Sequence, residues 1–541
     1  MKIKKIIALA ICITVAGSLL ISCRGGNGGG IIQESPVTQP GETSYPINTD
    51  RTLTYWVDLQ GSISANYKSI TDTPLGKELE NETGIKVQYI HPPAGQSDVD
   101  FNLMIASGNL PDIIEIKWIT RYTGGPEKAI AENIIIPLND VFKNYAPNMT
   151  KYMEANPNVE RAVKTDSGKY FAFPFVRGDD ILLTSYGPVV RKDWLDELNL
   201  PLPETISDWH AMLTAFKVQK GATAPFAVSK DQGTFFILAN GLFSGAYGLK
   251  KEFFIDDGQV KYGAYLPEYK ELLATLQKWY SEDLIDKGIG TTDGKAMDSY
   301  VLNGRTGAFA CYPGSTLSKY VPAFEAQDLN AELLPVQFPV KNRGDAVKYT
   351  SMVHPVDASN QFTAITAKSQ NVELAARFLD YGYTEKGNML YNFGVEGESY
   401  NIIDGYPKMS YFVMNHPEGW SVSQAWSAYA RATYSGPFEQ RREYIEQYWM
   451  LPGQKEAFTA WNSSEAVNHI LPPVSISEGE SAQFSSIINN VKTYVDEYSL
   501  KVLLGTESLD NFDAYITQLK SFGIEDAIKM QQNAYDRYMN R

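Results

Sequence analysis

From Thr52 onward the chain alternates short strand-like runs with helix-length segments closed by glycine, and this order restricts the fold more than any other feature. "TLTYWV" (52–57) and "IKVQYI" (85–90) are rich in β-branched and aromatic residues, which suits strands. Between them, Leu75 to Thr83 has helical spacing and stops at Gly84. Phe101 to Ser107 again places apolar residues at helical spacing and stops at Gly108, after which "PDIIEI" (111–116) reads as a third strand. Strand, helix, strand in this order needs crossovers that cover a parallel sheet, so an α/β fold is expected. Further helices are expected over Arg191 to Leu198, Asp208 to Lys217, Glu268 to Ser281, Glu373 to Thr384, Asp510 to Leu519 and Ile524 to Tyr538. In "SQNVELAARFLDY", Leu374, Phe378 and Tyr381 fall on one face. No fixed-period repeat appears, which argues against solenoids and propellers.

The first residues follow other rules. Met1 to Lys5 holds three lysines, and Ile6 to Ile21 is an almost unbroken apolar run of sixteen residues. That is a secretory signal pattern, shorter than the ~20 residues of a membrane span. It ends in "LISC", which looks like a lipobox with Cys23 as the acceptor of a diacylglyceryl group. The plainer alternative is an ordinary signal with an incidental cysteine. Arg24 to Asp50 is rich in Gly, Pro, Ser, Thr and Gln and reads as a flexible tether. Of three cysteines, Cys12 leaves with the signal and Cys23 is committed to lipid. Cys311, alone within "GAFAC", then reads as a buried thiol, and no disulfide is expected. The formal charge is −15, and removing Lys2, Lys4 and Lys5 takes it to −18. Nucleic acid, which demands clustered cations, is therefore disfavoured as a partner.

Catalytic motifs are missing. The five histidines His91, His210, His354, His416 and His469 form no metal-ligand pair, and there is no Gly-x-Ser-x-Gly elbow. Gly290 to Lys295 has the wrong glycine spacing for a phosphate loop, and Asp256-Asp257-Gly258 fits a turn between strands better than a calcium loop. Asp179-Asp180 and Glu396/Glu398 are the closest carboxylate pairs, but with 63 acidic residues such proximity has little force. No cofactor and no metal are expected.

Five stretches, in order, resemble a known family. "FNLMIASGNLPDII" (101–114), "IIIPLNDVF" (134–142), "SGKYFAFPF" (167–175), "VRKDWLDELNLPLPET" (190–205) and the 364–400 stretch with Gly394-x-Glu396-Gly397 are similar to extracellular solute-binding proteins of family 1, the receptors of carbohydrate ABC importers. The resemblance implies two α/β lobes joined by crossing strands, with a ligand gripped in the cleft between them. It divides the chain into a signal (1–22), a lipidated tether (23–50), lobe 1 (51–175), lobe 2 (176–345), a return to lobe 1 (346–398), and lobe 2 with the C-terminal helices (399–541). It implies an oligosaccharide ligand, permease subunits as partners, a lipid anchor on the outer face of the cell membrane, and a monomer with no chemical step. The rivals are an exported glycosidase or lyase, and a peptide receptor or sensor lipoprotein.

Sugars would explain the aromatics, which make up 12% of the chain, because a pyranose face stacks on Trp or Tyr. Trp420 and Trp426, in the loop-like "HPEGWSVSQAW", are candidate stacking rings, and in sugar-binding relatives a stacking aromatic often stands where Tyr312 does. Gln60, Ser62 and Trp118 follow strands at the carboxyl edge, where α/β folds place ligands. Arg177, Asp179 and Asp180 follow the hinge-like hairpin. For each of these, a core or loop role is the competing reading. Arg177, Lys117 and Arg121 are also compatible with an anionic uronate.

Overall fold

The computed structural model describes residues 44–230, 241–358, 361–431 and 435–541. Two sheets organise it. The first uses β1 (Thr52–Trp56), β2 (Lys86–Ile90), β3 (Ile113–Ile116) and β4 (Phe173–Arg177). The second uses β5 (Gly187–Arg191) and β6 (Phe226–Ala227), followed by a separate hairpin of β7 (Phe253–Asp256) and β8 (Gln259–Tyr262). Next come β9 (Ala308–Cys311) and β10 (Leu333–Pro335) of the second sheet, then β11 (Phe362–Ile365), which returns to the first. A hairpin of β12 (Tyr400–Ile403) and β13 (Tyr406–Met409) and the edge strand β14 (Phe438–Gln440) complete the set. The strand orders are β14-β4-β11-β3-β1-β2 and β10-β5-β9-β6. In the first sheet only β11 runs against its neighbours, with Phe362 opposite Ile116 and Pro174. The carboxyl ends of β1, β3, β4 and β14 therefore lie along one edge.

The expected local structure is present. The first five helices are α1 (Gly61–Ser64), α2 (Pro74–Thr83), α3 (Ser97–Ser107), α4 (Trp118–Arg121) and α5 (Gly125–Ala131). Gly84 closes α2 at φ 72° and Gly108 closes α3 at φ 67°, a left-handed conformation that glycine adopts without a side-chain clash. Asp208 to Lys217 lies within a longer helix, Ile206–Lys220, started by a capping box of Thr205 and Asp208. Asp257 and Gly258, both at positive φ, make the two-residue turn of the β7–β8 hairpin, as read from the sequence. One long element escaped the sequence reading, the 26-residue helix Glu478–Leu503. Its buried stripe of Ile487, Val491, Val495, Tyr498 and Val502 is spaced by four or three residues but diluted by Ser and Asn, which are weak helix formers.

Each sheet has its own core. Leu53, Tyr55, Ile113, Phe173 and Phe362 belong to the first; Val189, Trp209, Phe226, Trp279 and Phe309 belong to the second. Asp112, the aspartate of "NLPD", locks the first core at its amino edge. Its carboxylate accepts from the Thr54 N–H and hydroxyl, both at 2.9 Å, from Ser369 at 2.6 Å and from Asn371 at 3.2 Å. Burial pushes its pKa upward, but the hydrogen bonds from Ser369, Thr54 and Asn371 outweigh that and hold it below the usual carboxylate range. Cys311 is fully buried in the second core, and burial raises its thiol pKa.

The expected assignment of 399–541 to the second lobe differs from the packing. Tyr400, Trp426, Phe438 and Tyr444 pack in the first core, and β14 pairs with β4. Phe438 stacks on Tyr391 at 5.0 Å and meets Phe175 edge-on at 5.4 Å, so this stretch completes the first sheet. The chain reaches the second core again only later, where Trp461 lies over β5. A Cβ at Gly187 would fall 2.3 Å from that indole, so glycine is needed there.

Candidate functional site

Three connections meet at the carboxyl edge of β1 and β3 and enclose a cavity of about 530 Å³. The segment after β1 supplies Asp58, the first two turns of α3 supply Ser97, Asp98 and Asn102, and β3 with the residues that follow it supplies Ile116, Lys117, Thr120 and Arg121. Gln361, just before β11, completes the wall. Ser97 donates its hydroxyl hydrogen to Asp58 and accepts from Arg121 Nη2 at 3.0 Å, while Arg121 Nε lies 3.0 Å from Asp98. The guanidinium is 14% exposed and rests over the rings of Phe101 at 4.8 Å and Trp56 at 5.5 Å. Such a placement fixes the cation without neutralising it. Asp98, by contrast, is 86% exposed. Gln361 Oε1 is shielded from solvent and accepts no hydrogen bond among the described residues. Lys117 is exposed, and no ion pair engages it among the described residues.

On the strand that brings Arg121 to the cavity, Glu115 faces the interior. It is 0% exposed and takes Arg431 Nη2 on both oxygens, at 2.9 and 2.7 Å. The Gly436 N–H at 2.9 Å and the Tyr55 hydroxyl also donate to it. Burial works to lower the pKa of Arg431, but Glu115 reverses this and raises it, so the guanidinium stays charged.

The sequence-derived candidates are dispersed. Trp118 is 0% exposed, donates to the Ile114 carbonyl at 3.4 Å and packs against Phe101 and Tyr122, so it is a core ring with no face for a ligand. Trp426 is likewise 1% exposed, set against Phe393 and Tyr444 in the first core; its loop-like surroundings are instead the capped start of the helix Val422–Tyr429. Trp420 is only half-buried. One face stacks on His416 at 4.0 Å, and Tyr67 meets it edge-on at 5.9 Å. Gln60 donates to Ser435 at 3.1 Å and Ser62 to Ser427 at 2.9 Å, fastening α1 to the chain around the helix Val422–Tyr429. Arg177 is buried at the end of β4, where its N–H donates to the Pro355 carbonyl at 3.0 Å. Asp179 caps the turn at Ile181, lies 3.8 Å from Arg442, and lines a second cavity of about 470 Å³ with Arg441, Glu439 and Glu385. Asp180 is exposed, its carbonyl accepting from Asn462 at 3.2 Å. Tyr312 is half-buried against Tyr186 at 5.5 Å on the second core.

None of the nine candidates lines the cavity at β1 and β3; Lys117 and Arg121 do. The rule that led to Trp118 also covers Asp58 and Thr120, and helical phase could have separated Thr120 and Arg121 from Trp118. Nothing in the sequence marks Gln361. Among the described residues no group of three His, Cys, Asp or Glu is placed to hold a metal. Cys23 lies outside the described residues.

The chain is 22% identical over 575 residues to the fructooligosaccharide ABC transporter substrate-binding protein FusA of Streptococcus pneumoniae serotype 4, covering 99% of both chains. It is 24% identical over 344 residues to the lipoprotein LipO of Bacillus subtilis, covering 62% of this chain and 65% of that one. The crystal structure of the alginate-binding protein AlgQ2 without calcium ion superposes with a TM-score of 0.73 at 26% identity, covering 91% of this chain and all of that one. The model of the bacterial extracellular solute-binding protein family matches residues 64–389, and the chain belongs to that family.

Proposed function

We propose that this chain is the substrate-binding receptor of an ABC importer. It captures an oligosaccharide between its two lobes, closes about the crossing strands, and delivers the cargo to a membrane permease without a chemical step. The observation that carries this reading is the cavity at the carboxyl edge of β1 and β3. It offers acceptors (Asp58, Gln361), donors (Lys117, Arg121) and mixed groups (Asn102, Thr120), the complement that a ring of hydroxyls requires. The names of FusA and AlgQ2 support a saccharide ligand. Closure follows from the two cores joined by crossing segments, since a ligand touching both lobes favours the closed state by its differential contacts. Half-buried Trp420 and Tyr312 are the candidate stacking rings that keep partly open faces. An anchor at Cys23 would hold the receptor near its permease, and the name of LipO supports this; the tether ends before the expected Asp50, because Tyr45 donates to the Arg377 carbonyl at 2.5 Å and the Ile47 N–H to the Thr83 carbonyl at 2.7 Å.

A thermal-shift screen of residues 24–541 against oligosaccharides tests the reading. A ligand at 100 times its dissociation constant adds about 2.7 kcal/mol of stability. No shift with any saccharide overturns the proposal, and release of reducing sugar from a polysaccharide overturns the absence of a chemical step. Mass spectrometry of the membrane-bound protein tests Cys23: a diacylglyceryl group on that residue is expected, and a Cys23→Ala chain should be released from the membrane.

A further inference from the structure

We infer that the β1–β3 cavity reads a carboxylate, so that the saccharide taken up is acidic, a uronic-acid oligomer. This rests on the oligosaccharide reading above and narrows it. Four observations converge. Arg121 holds its guanidinium over Phe101 and Trp56, with Nη2 fixed on Ser97. A planar guanidinium immobilised in this way pairs with a carboxylate at little further entropic cost. The carboxylate facing it now is Asp98, on the first turn of α3 and 86% exposed, held by this one ion pair among the described residues. With the Asp98 carboxylate open to water the pair contributes about 1 kcal/mol, so a ligand carboxylate can displace it. Lys117 lines the same cavity without an ion pair among the described residues and supplies a second cation. The other carboxylate in the wall, Asp58, is engaged by Ser97 and with Gln361 Oε1 provides acceptors for hydroxyl groups. A sugar unit bearing one carboxylate and neighbouring hydroxyls satisfies all of these groups; a neutral sugar leaves Lys117 unused.

The test is calorimetric titration of residues 24–541 with trigalacturonate and a mixed-length alginate oligomer, each paired with its carboxyl-reduced neutral counterpart. At least one acidic member should bind ten-fold or more tightly than its reduced form, and its affinity should fall as salt is raised. Arg121→Gln and Lys117→Gln should each lose ten-fold or more for the acid and distinctly less for the neutral counterpart, so that the preference for the acid shrinks. Asp98→Asn removes the competitor and should tighten acid binding, a gain that loss of structure could not produce. Equal or better binding of neutral oligosaccharides, or unchanged acid binding in the Arg121 and Lys117 variants, overturns this inference and leaves the receptor reading intact. Absence of binding by any saccharide overturns both.

Discussion

Two ionic clusters lie by strand β3, one on the strand and one beyond its carboxyl end, and they differ in what surrounds them. Glu115 and Arg431 are sealed in the first core, with Tyr55 and Gly436 completing the shell. At the strand's carboxyl end, Arg121 and Asp98 stand at a cavity mouth, one side chain mostly covered and the other in water. A sealed pair has no alternative partner, so losing one member strands a charge in a medium that cannot solvate it. An open pair exchanges partners readily, which makes it useful to a ligand and nearly irrelevant to stability. The same residue chemistry thus belongs to the core in one place and borders a cavity in the other.

The largest effect that would break this contrast is at the sealed pair. Arg431→Met or Glu115→Gln should each lower stability by about 3–5 kcal/mol in urea unfolding, and the double variant should recover part of the loss. If the single variants cost less than the corresponding change at Arg121, the contrast fails. Asp112→Ala should come next, losing about 2–4 kcal/mol because it leaves the Thr54, Ser369 and Asn371 donors without their acceptor. Its folded pKa is depressed, so its contribution is complete above the ordinary aspartate value near 4 and fades as pH falls through the lower folded value. The gap between wild type and Asp112→Ala, measured by thermal unfolding against pH, should therefore narrow in acid. A gap that widened would refute the assignment.

Arg121→Gln should change stability by less than about 1 kcal/mol while weakening ligand binding, the reverse of the Arg431 result. Trp420→Ala should reduce saccharide affinity by about five- to ten-fold with little loss of stability, the size of one aromatic contact, as judged by titration. The smallest effect is expected at Asp166, where Arg537 at 2.5 Å and Arg541 at 2.7 Å bring the last helix against the first lobe's hairpin. Asp166→Asn should cost about 1 kcal/mol, since Asp166 and Arg537 keep partial access to water and the asparagine oxygen can still accept, although Arg541 is itself covered.

Much of the first lobe was legible because its signals are local. Gly84 and Gly108 stop helices through their own backbone freedom, and the apolar run 113–116 that follows Gly108 is a fully covered strand, whereas β2 between them lies at the sheet edge with only Tyr89 buried. Site residues were harder to read. Trp118 and Trp426 carry the right chemistry for a sugar, but a one-residue step around α4 exposes Lys117 while burying Trp118. Which ring keeps an open face depends on what packs over it, and at Trp420 the local His416 is joined by Tyr67, more than 300 positions away.

By itself, the sequence determined the α/β alternation and the family motifs, because each of these is written within a short window. Tertiary structure decided that 438–440 closes the first sheet, that Glu115 meets Arg431 more than 300 positions away, and that Asp58, Ser97, Arg121 and Gln361 share one cavity. Those pairings are selected by burial and charge compensation across the whole fold, and residues distant in sequence acquire their roles only when the cores assemble.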